Sequence, residues 1–186
     1  MYKVEKNVSL KAIANLLKYD KIVLFFNGRS EAGCRALGNR SVLSNPATPY
    51  GKQIVNFHKN REWFRPLAAS ILEEHVEQWF FTKNIKISPF MTNIFFVKDC
   101  QKYKIPNALH VDGSCRLQTV NIHQNQNYYN LIQEFHTLTN IPLIVNTSFN
   151  LAGQPIVETP KDAIDVFVNS NLPYLYFADV KCLLKK

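Results

Sequence analysis

Four short stretches of this 186-residue chain gather side chains suited to holding an anion. The first, GRSEAGCRALGNRS, places Arg29, Arg35 and Arg40 within twelve residues, among Gly28, Gly33 and Gly38 and beside Glu31 and Asn39. Guanidinium groups donate in planar, multidentate fashion, and glycines let backbone amides approach closely, which suits phosphate or carboxylate. The plainer expectation is that Glu31 pairs with one arginine and the others face water. The second stretch, HKNREWFRP, carries His58, Lys59, Arg61, Glu62 and Arg65 around Trp63 and Phe64. Those rings either anchor the loop in the core or form a stacking platform for nucleobases or RNA.

The third stretch, HVDGSCRLQTV, holds His110, Asp112, Ser114 and Arg116. His110 and Asp112 lie two apart, so an extended backbone puts them on one side. They could orient one another, bind Mg²⁺ through Asp112, or only stabilise the Asp112-Gly113 turn. The fourth, NTSFNLAGQPI, presents Asn146, Thr147, Ser148 and Asn150 directly after an apolar run. These groups could hold a triphosphate oxygen or a carbamoyl amide, though Asn and Ser are also ordinary turn formers. There is no phosphate-binding P-loop motif, no dinucleotide fingerprint and no nucleophile elbow around Ser148. Clustered cations with amide and hydroxyl groups fit phosphoryl or adenylyl transfer, where positioning and charge neutralisation dominate.

The elements that must position these clusters follow from hydrophobic spacing. Ser9 precedes Leu10, Ile13, Leu16 and Leu17 at helical intervals, and 22–26 reads as a buried strand. The segment from Asn27 to Ser41 reads as polar and glycine-punctuated. A helix is expected over 50–57, a strand over 67–72, a short helix over 73–80 and a strand over 93–97. Arg116 opens a strand over 116–121, and 128–139 has a helical apolar face. The strand over 142–145 should run into the polar NTSFN. Thr159, Pro160 and Asp162 form a helix start, and a closing strand follows over 174–177. Alternation of strands and helices without a linker predicts one α/β domain over 1–186, a twisted mixed sheet with packed helices.

Bulk composition narrows the partners. Lys plus Arg is 22 against 14 acidic residues, a formal charge of +8, which asks for an anionic substrate or partner. Four cysteines lie far apart without a CxxC pair, as expected of a reducing, cytoplasmic setting. Cys115 reads as buried, Cys34 as a weak candidate nucleophile, and the histidines show no metal spacing. No apolar run reaches the ~20 residues of a membrane helix.

In order and spacing, GRSEAGCRALGNRS, KNREWFRP, SPFM, HVDGSCRLQTV and NTSFNLAGQPIVETPKDAI resemble the carboxy-terminal domain of the carbamoyltransferases that decorate antibiotics and nodulation factors. That domain in turn resembles the threonylcarbamoyl-adenylate synthase fold, and the resemblance spans about 22–177. It implies binding of ATP, with Mg²⁺, and of carbamoyl phosphate, forming carbamoyl-adenylate and releasing pyrophosphate. The carbamoyl group would then pass to a hydroxyl or amine in a separate, metal-containing, sugar-kinase-like domain or subunit. By the same resemblance, Lys59, Arg61 and Arg116 neutralise phosphate charge and His110 hydrogen-bonds or transfers a proton. Arg35, Asn39, Arg40, Arg65, Asn146, Ser148 and Asn150 would hold the nucleotide. A threonylcarbamoyl-adenylate synthase-like activity, or nucleotide or RNA binding without catalysis, are the alternatives.

The chain departs from the family pattern at four places. Cys34 stands for a proline, Asn45-Pro46-Ala47 for acid-proline-arginine, Leu67 for a proline and Gln154 for a glutamate. The arginine missing at Ala47 removes one cation. The match begins about twenty residues after Met1, so the acceptor domain is expected on another chain. A domain taken from a longer protein, a synthase acting alone and a relic are the competing explanations.

Overall fold

Ser9 caps helix α1 (Leu10–Lys18), its Oγ accepting from the Ala12 amide, and Ile13, Ala14 and Leu17 are buried. It is the first helix of a computed structural model that describes residues 2–186. The chain continues through β2 (Val23–Phe26), entered after an N-terminal edge strand β1 (Lys3–Glu5). It goes on through β3 (Arg40–Ser44), α2 (Gly51–His58), β4 (Ala68–Leu72), α3 (Val76–Trp79) and β5 (Phe80–Phe81). Then come β6 (Asn93–Val97), α4 (Asp99–Lys102), β7 (Ser114–Val120), α5 (Gln126–Thr139) and β8 (Leu143–Ser148). The last elements are α6 (Pro160–Asn169), β9 (Tyr174–Phe177) and β10 (Cys182–Lys185).

All ten strands of the described residues join one mixed sheet in the order β1-β10-β9-β2-β3-β8-β4-β7-β6-β5. The pairs β2–β9 and β4–β7 are parallel, and the others are antiparallel. Helices α1 and α5 pack on one another, with α5 also against β4 and β8, while α6 packs against β2 and β9. The core is built from Leu24, Phe25, Leu43, Ile71, Phe135 and Ile144, all fully buried.

The α/β architecture follows the sequence reading, with several local differences. The stretch expected to stay irregular up to Ser41 becomes β3 from Arg40, because Arg40 and Ser41 are polar residues whose burial is satisfied by hydrogen bonds. The strand before NTSFN does not stop at Val145 but continues through Ser148, paired with β3. The helix expected over 73–80 is a 3₁₀ turn (Glu73–His75) followed by the single turn α3. The edge strand β1 and its neighbour β10, whose short apolar cores sit among lysines, also lay outside the sequence reading. The capping box of α6 is present as expected, Thr159 and Asp162 each bonding the other's backbone amide.

Candidate active site

Sheet register brings the four clusters to one end of the sheet. Phe26, at the end of β2, pairs with Arg40 at the start of β3, and Ser41 pairs with Ser148 at the end of β8. One row further in, Asn146 of β8 pairs with Ala68 of β4, which pairs with Arg116 of β7. The loops after β2, before β4, before β7 and after β8 therefore meet above the central strands.

Lys59 ends α2 and is only 2% exposed. Its Nζ donates to the Ser148 carbonyl, to Ser148 Oγ at 3.2 Å and to Asn150 Oδ1 at 3.0 Å. Ser148 Oγ donates in turn to Asn150 Oδ1 at 2.7 Å, and Asn150 Nδ2 donates to the Gln154 carbonyl at 2.7 Å. The Ala152 amide donates to the Lys59 carbonyl at 2.9 Å, which ties the second and fourth clusters together. Burial, and secondarily Arg61, push the Lys59 ammonium down to about 7. Its compensation comes from neutral oxygens, with no carboxylate paired to it.

Arg61 Nε donates to Asn56 Oδ1 at 2.5 Å, while Asn56 Nδ2 holds the carbonyls of Trp63 and Arg65, each at 3.0 Å. Asn56 is fully buried and shapes the whole cationic turn, a role its place inside an ordinary amphipathic helix did not announce. Arg61 Nη2 and Arg116 Nε are buried donors without a partner among the described residues. Burial first, then Arg65 and Arg116, lower Arg61 to about 10. Burial and then Arg35 lower Arg116. Lys59, Arg61, Arg65, Arg116 and Arg35 thus form a chain of mutually repelling cations, with one ion pair, Arg65 Nε to Glu62 at 2.6 Å, on its exposed side. Unpaired charge and unfilled donors together are costly unless an anion completes them.

The first loop is organised differently. Glu31 pairs with no arginine. Its Oε1 accepts from the amides of Leu37, Asn39 and Arg40 at 2.7, 2.8 and 3.2 Å. Arg40, expected at the phosphates, is 3% exposed and lies 3.5 Å from the Phe26 ring centre. Its Nε, Nη1 and Nη2 donate to the carbonyls of Asn27, Gly28, Asn39 and Glu158, all within 3.2 Å. It clasps the loop base and presents no free donor. Asn146, expected to orient the bound group, is likewise fully buried: Nδ2 donates to the Ala36 carbonyl and Ser70 Oγ, each at 3.0 Å. Gly38 has φ +101° and lies against Tyr128, whose ring would be 2.1 Å from any added Cβ. Arg35 is exposed, near Arg116.

His110 is half-buried as a brace, with Nδ1 3.1 Å from Ser114 Oγ and Nε2 3.4 Å from the Leu67 carbonyl. Burial leads in lowering its pKa. Asp112 Oδ1 accepts from the Ser114 amide and hydroxyl at 3.0 and 2.7 Å, so it stabilises its turn. No group of three or more His, Cys, Asp or Glu side chains is arranged to hold a metal among the described residues. Cys115 is buried and its thiol is pushed up to about 12, whereas Cys34 is exposed. Trp63 and Phe64 do not anchor the loop. They are 68% and 63% exposed, in edge contact with ring centres 5.8 Å apart.

Two cavities share the Ser148–Asn150 wall. One of 230 Å³ is lined by Lys59, Arg61 and Arg65 with Ser148 and residues 150–153, and one of 440 Å³ by the first loop and residues 154–158. The pairing of a cationic recess with a larger neighbouring hollow suits an anion attached to a larger molecule.

The family model described as Carbamoyltransferase C-terminus matches residues 14–185. The chain belongs to that family. All four clusters of this carbamoyltransferase C-terminal domain lie within the matched residues. An uncharacterised protein of Methanocaldococcus jannaschii, MJ1051, is 39% identical over 92% of this chain and 33% of its own length. The nodulation protein NolNO of Sinorhizobium fredii is 39% identical over 81% of this chain and 22% of its own. The carbamoyltransferase domain thus spans a third or less of these relatives.

Solved structures show the same fold at low identity. Full-length HypF in its phosphate- and nucleotide-bound form superposes with TM-score 0.56 at 16% identity, over 95% of this chain and 24% of that one. P. abyssi Sua5 complexed with L-threonine gives TM-score 0.56 at 14% identity, over 84% and 43%. Among the described residues of this carbamoyltransferase domain, no helix is long and apolar enough to cross a membrane. Ala47 packs against the core, its amide donating to Asn45 Oδ1 at 2.9 Å.

Proposed function

We propose that this domain condenses a carbamoyl donor with ATP at the recess lined by Lys59 and Arg61, with Arg116 close to Arg61, forming carbamoyl-adenylate. Carbamoyl phosphate, ATP and water would give carbamoyl-adenylate, pyrophosphate and phosphate. The carrying observation is the pair of buried, unpartnered donors, Arg61 Nη2 and Arg116 Nε, inside a chain of five cations. These groups fit a polyphosphate and would neutralise the charge that grows on pyrophosphate as it leaves the α-phosphorus. Ser148 and Asn150 orient Lys59 and form the wall between recess and hollow. Arg35 and Arg65 reach the anion from the exposed side, and His110 positions Arg116 by bracing β7 against Leu67. Arg40 and Asn146 hold the first loop in register behind them. Mg²⁺ would travel with the triphosphate, held by phosphate oxygens and water, as is usual where a protein cage is lacking. Transfer to a final hydroxyl or amine would take place on a further domain, as the greater length of the relatives allows.

The test is release of pyrophosphate from ATP with Mg²⁺ and carbamoyl phosphate, with threonine plus bicarbonate as the rival donor set. Release with carbamoyl phosphate alone supports the reading, and release only with threonine and bicarbonate moves it to threonylcarbamoyl-adenylate synthesis. No release from either, with ATP still bound, leaves a nucleotide-binding module. A second reading rests on the exposure of Trp63 and Phe64 beside Arg61 and Arg65, a stacking surface with basic flanks. Salt-sensitive RNA retention that ATP does not displace is its signature.

A further inference from the structure

Helix α2 begins without a side-chain cap. Tyr50 stands at its N-cap position in the left-handed region, φ +56°, and no acidic residue occupies the first turn. The Gly51 amide donates to the Thr48 carbonyl and the Ile54 amide to that of Tyr50, at 3.2 and 3.1 Å. Between them, the amides of Lys52 and Gln53 meet no acceptor among the described residues. A hollow of 180 Å³ opens over this turn, its lining including Tyr50, Gly51, Lys52, Gln53 and Asn107. A free helix start favours an anion, but by itself it selects none.

The selective group is Asn107. It is 2% exposed, and its Nδ2 donates to the Asn45 carbonyl at 2.9 Å and to Ser44 Oγ at 3.4 Å. Its Oδ1 is buried and accepts from no donor among the described residues. Gly51 lets this carboxamide press against the first turn of α2, since a Cβ there would lie 2.5 Å from Asn107 Nδ2 and 3.1 Å from Oδ1. A buried acceptor thus stands in the lining beside two free donors. Lys52 adds a cation, its Nζ donating to the Leu109 carbonyl at 2.8 Å. Thr48, in the same lining, is turned to Asp20, whose Oδ1 accepts from Thr48 Oγ1 and Asn45 Nδ2 at 2.7 and 2.9 Å. The ligand these groups describe carries negative charge, accepts two hydrogen bonds and donates one.

We infer that the start of α2 is a second anion site, distinct from the Lys59 recess, and that it takes a protonated oxyanion, inorganic hydrogen phosphate. Its oxygens accept from the Lys52 and Gln53 amides, and its hydroxyl donates to Asn107 Oδ1. The site does not depend on the nucleotide reading above. Helix α2 runs for eight residues, about 12 Å, from here to Lys59, so bound phosphate caps the helix that carries the recess lysine. Titration of the full chain with phosphate and with sulfate, followed by NMR through individual backbone amides, tests it. Sulfate is tetrahedral too but carries no proton at neutral pH. The Lys52 and Gln53 amides should saturate with phosphate, and sulfate should bind there about twenty-fold or more weaker, because it has no proton to give Asn107 Oδ1. The Ala152 amide, beside the recess, reports the other site in the same spectra. Equal affinity for the two anions at Lys52 and Gln53 overturns the proposal, and so does phosphate that moves only the recess signals. Asn107→Asp keeps the side-chain shape but sets a carboxylate in the hollow. It should weaken phosphate about ten-fold or more at Lys52 and Gln53 while Ala152 still responds. Undiminished affinity in that variant also overturns the site, and the wild-type comparison decides the matter if the variant does not fold.

Discussion

The loop after β2 and the turn after α2 are both rich in arginine, yet their arginines do opposite things. In the first, Arg40 is buried against Phe26 and every N–H meets a backbone carbonyl, while Glu31 gathers three loop amides. In the second, Arg61 is held by a single bond to Asn56, and Arg61 Nη2 and Arg116 Nε face no acceptor. A guanidinium completed by its own fold is architecture. One left incomplete beside other cations is built for something that arrives from outside.

The comparison breaks if the two kinds of arginine respond alike to removal. The largest effect belongs to Arg61→Ala and Arg116→Ala. Each should lower pyrophosphate release by about 10²–10³-fold, the usual cost of one donor to transition-state charge, with little change in the urea midpoint. Equal losses of folding and activity would make these arginines internal braces. Arg40→Ala should invert the pattern. Stranding four carbonyls near the loop base should cost about 2–4 kcal/mol in urea unfolding, with activity per folded molecule close to wild type.

A smaller effect comes from pH. The folded Lys59 sits near 7, below its unfolded value, so its ammonium is lost as pH rises through that point. Sulfate keeps a constant charge over this range, and its affinity should fall about ten-fold between pH 6 and 8. Lys59→Gln should abolish that slope. The linkage sign for folding is opposite. Between about 7 and the unfolded value the unfolded chain holds a proton that the folded chain lacks, so this group makes stability rise with pH. Least affected should be Arg65→Ala, an exposed side chain already paired with Glu62, with pyrophosphate release within about five-fold of wild type.

How much was legible in sequence follows the same division. Periodicity placed α1, β6 and the helical face of α5, and capping chemistry placed the start of α6, because local pattern decides those elements. The strand β3 and the NTS end of β8 were hidden because their burial is polar. Asn146, Ser70 and Gln118 hydrogen-bond one another inside the sheet, where a polar run reads as a turn. The cationic clusters were visible as composition, but which arginine is engaged depends on carbonyls far away in the chain. Arg40 meets Glu158, 118 positions on, and no spacing within GRSEAGCRALGNRS reveals it. Asn56 and Glu31 escaped for the same reason, since what they do is fix backbone.

The central claim is that Lys59, Arg61 and Arg116 form one incomplete anion site. A crystal structure of the chain with pyrophosphate tests it most directly. The account predicts phosphate oxygens within hydrogen-bond distance of both Arg61 Nη2 and Arg116 Nε, with Arg40 still clasped to its carbonyls. Pyrophosphate bound elsewhere, with those two donors still empty, would contradict it.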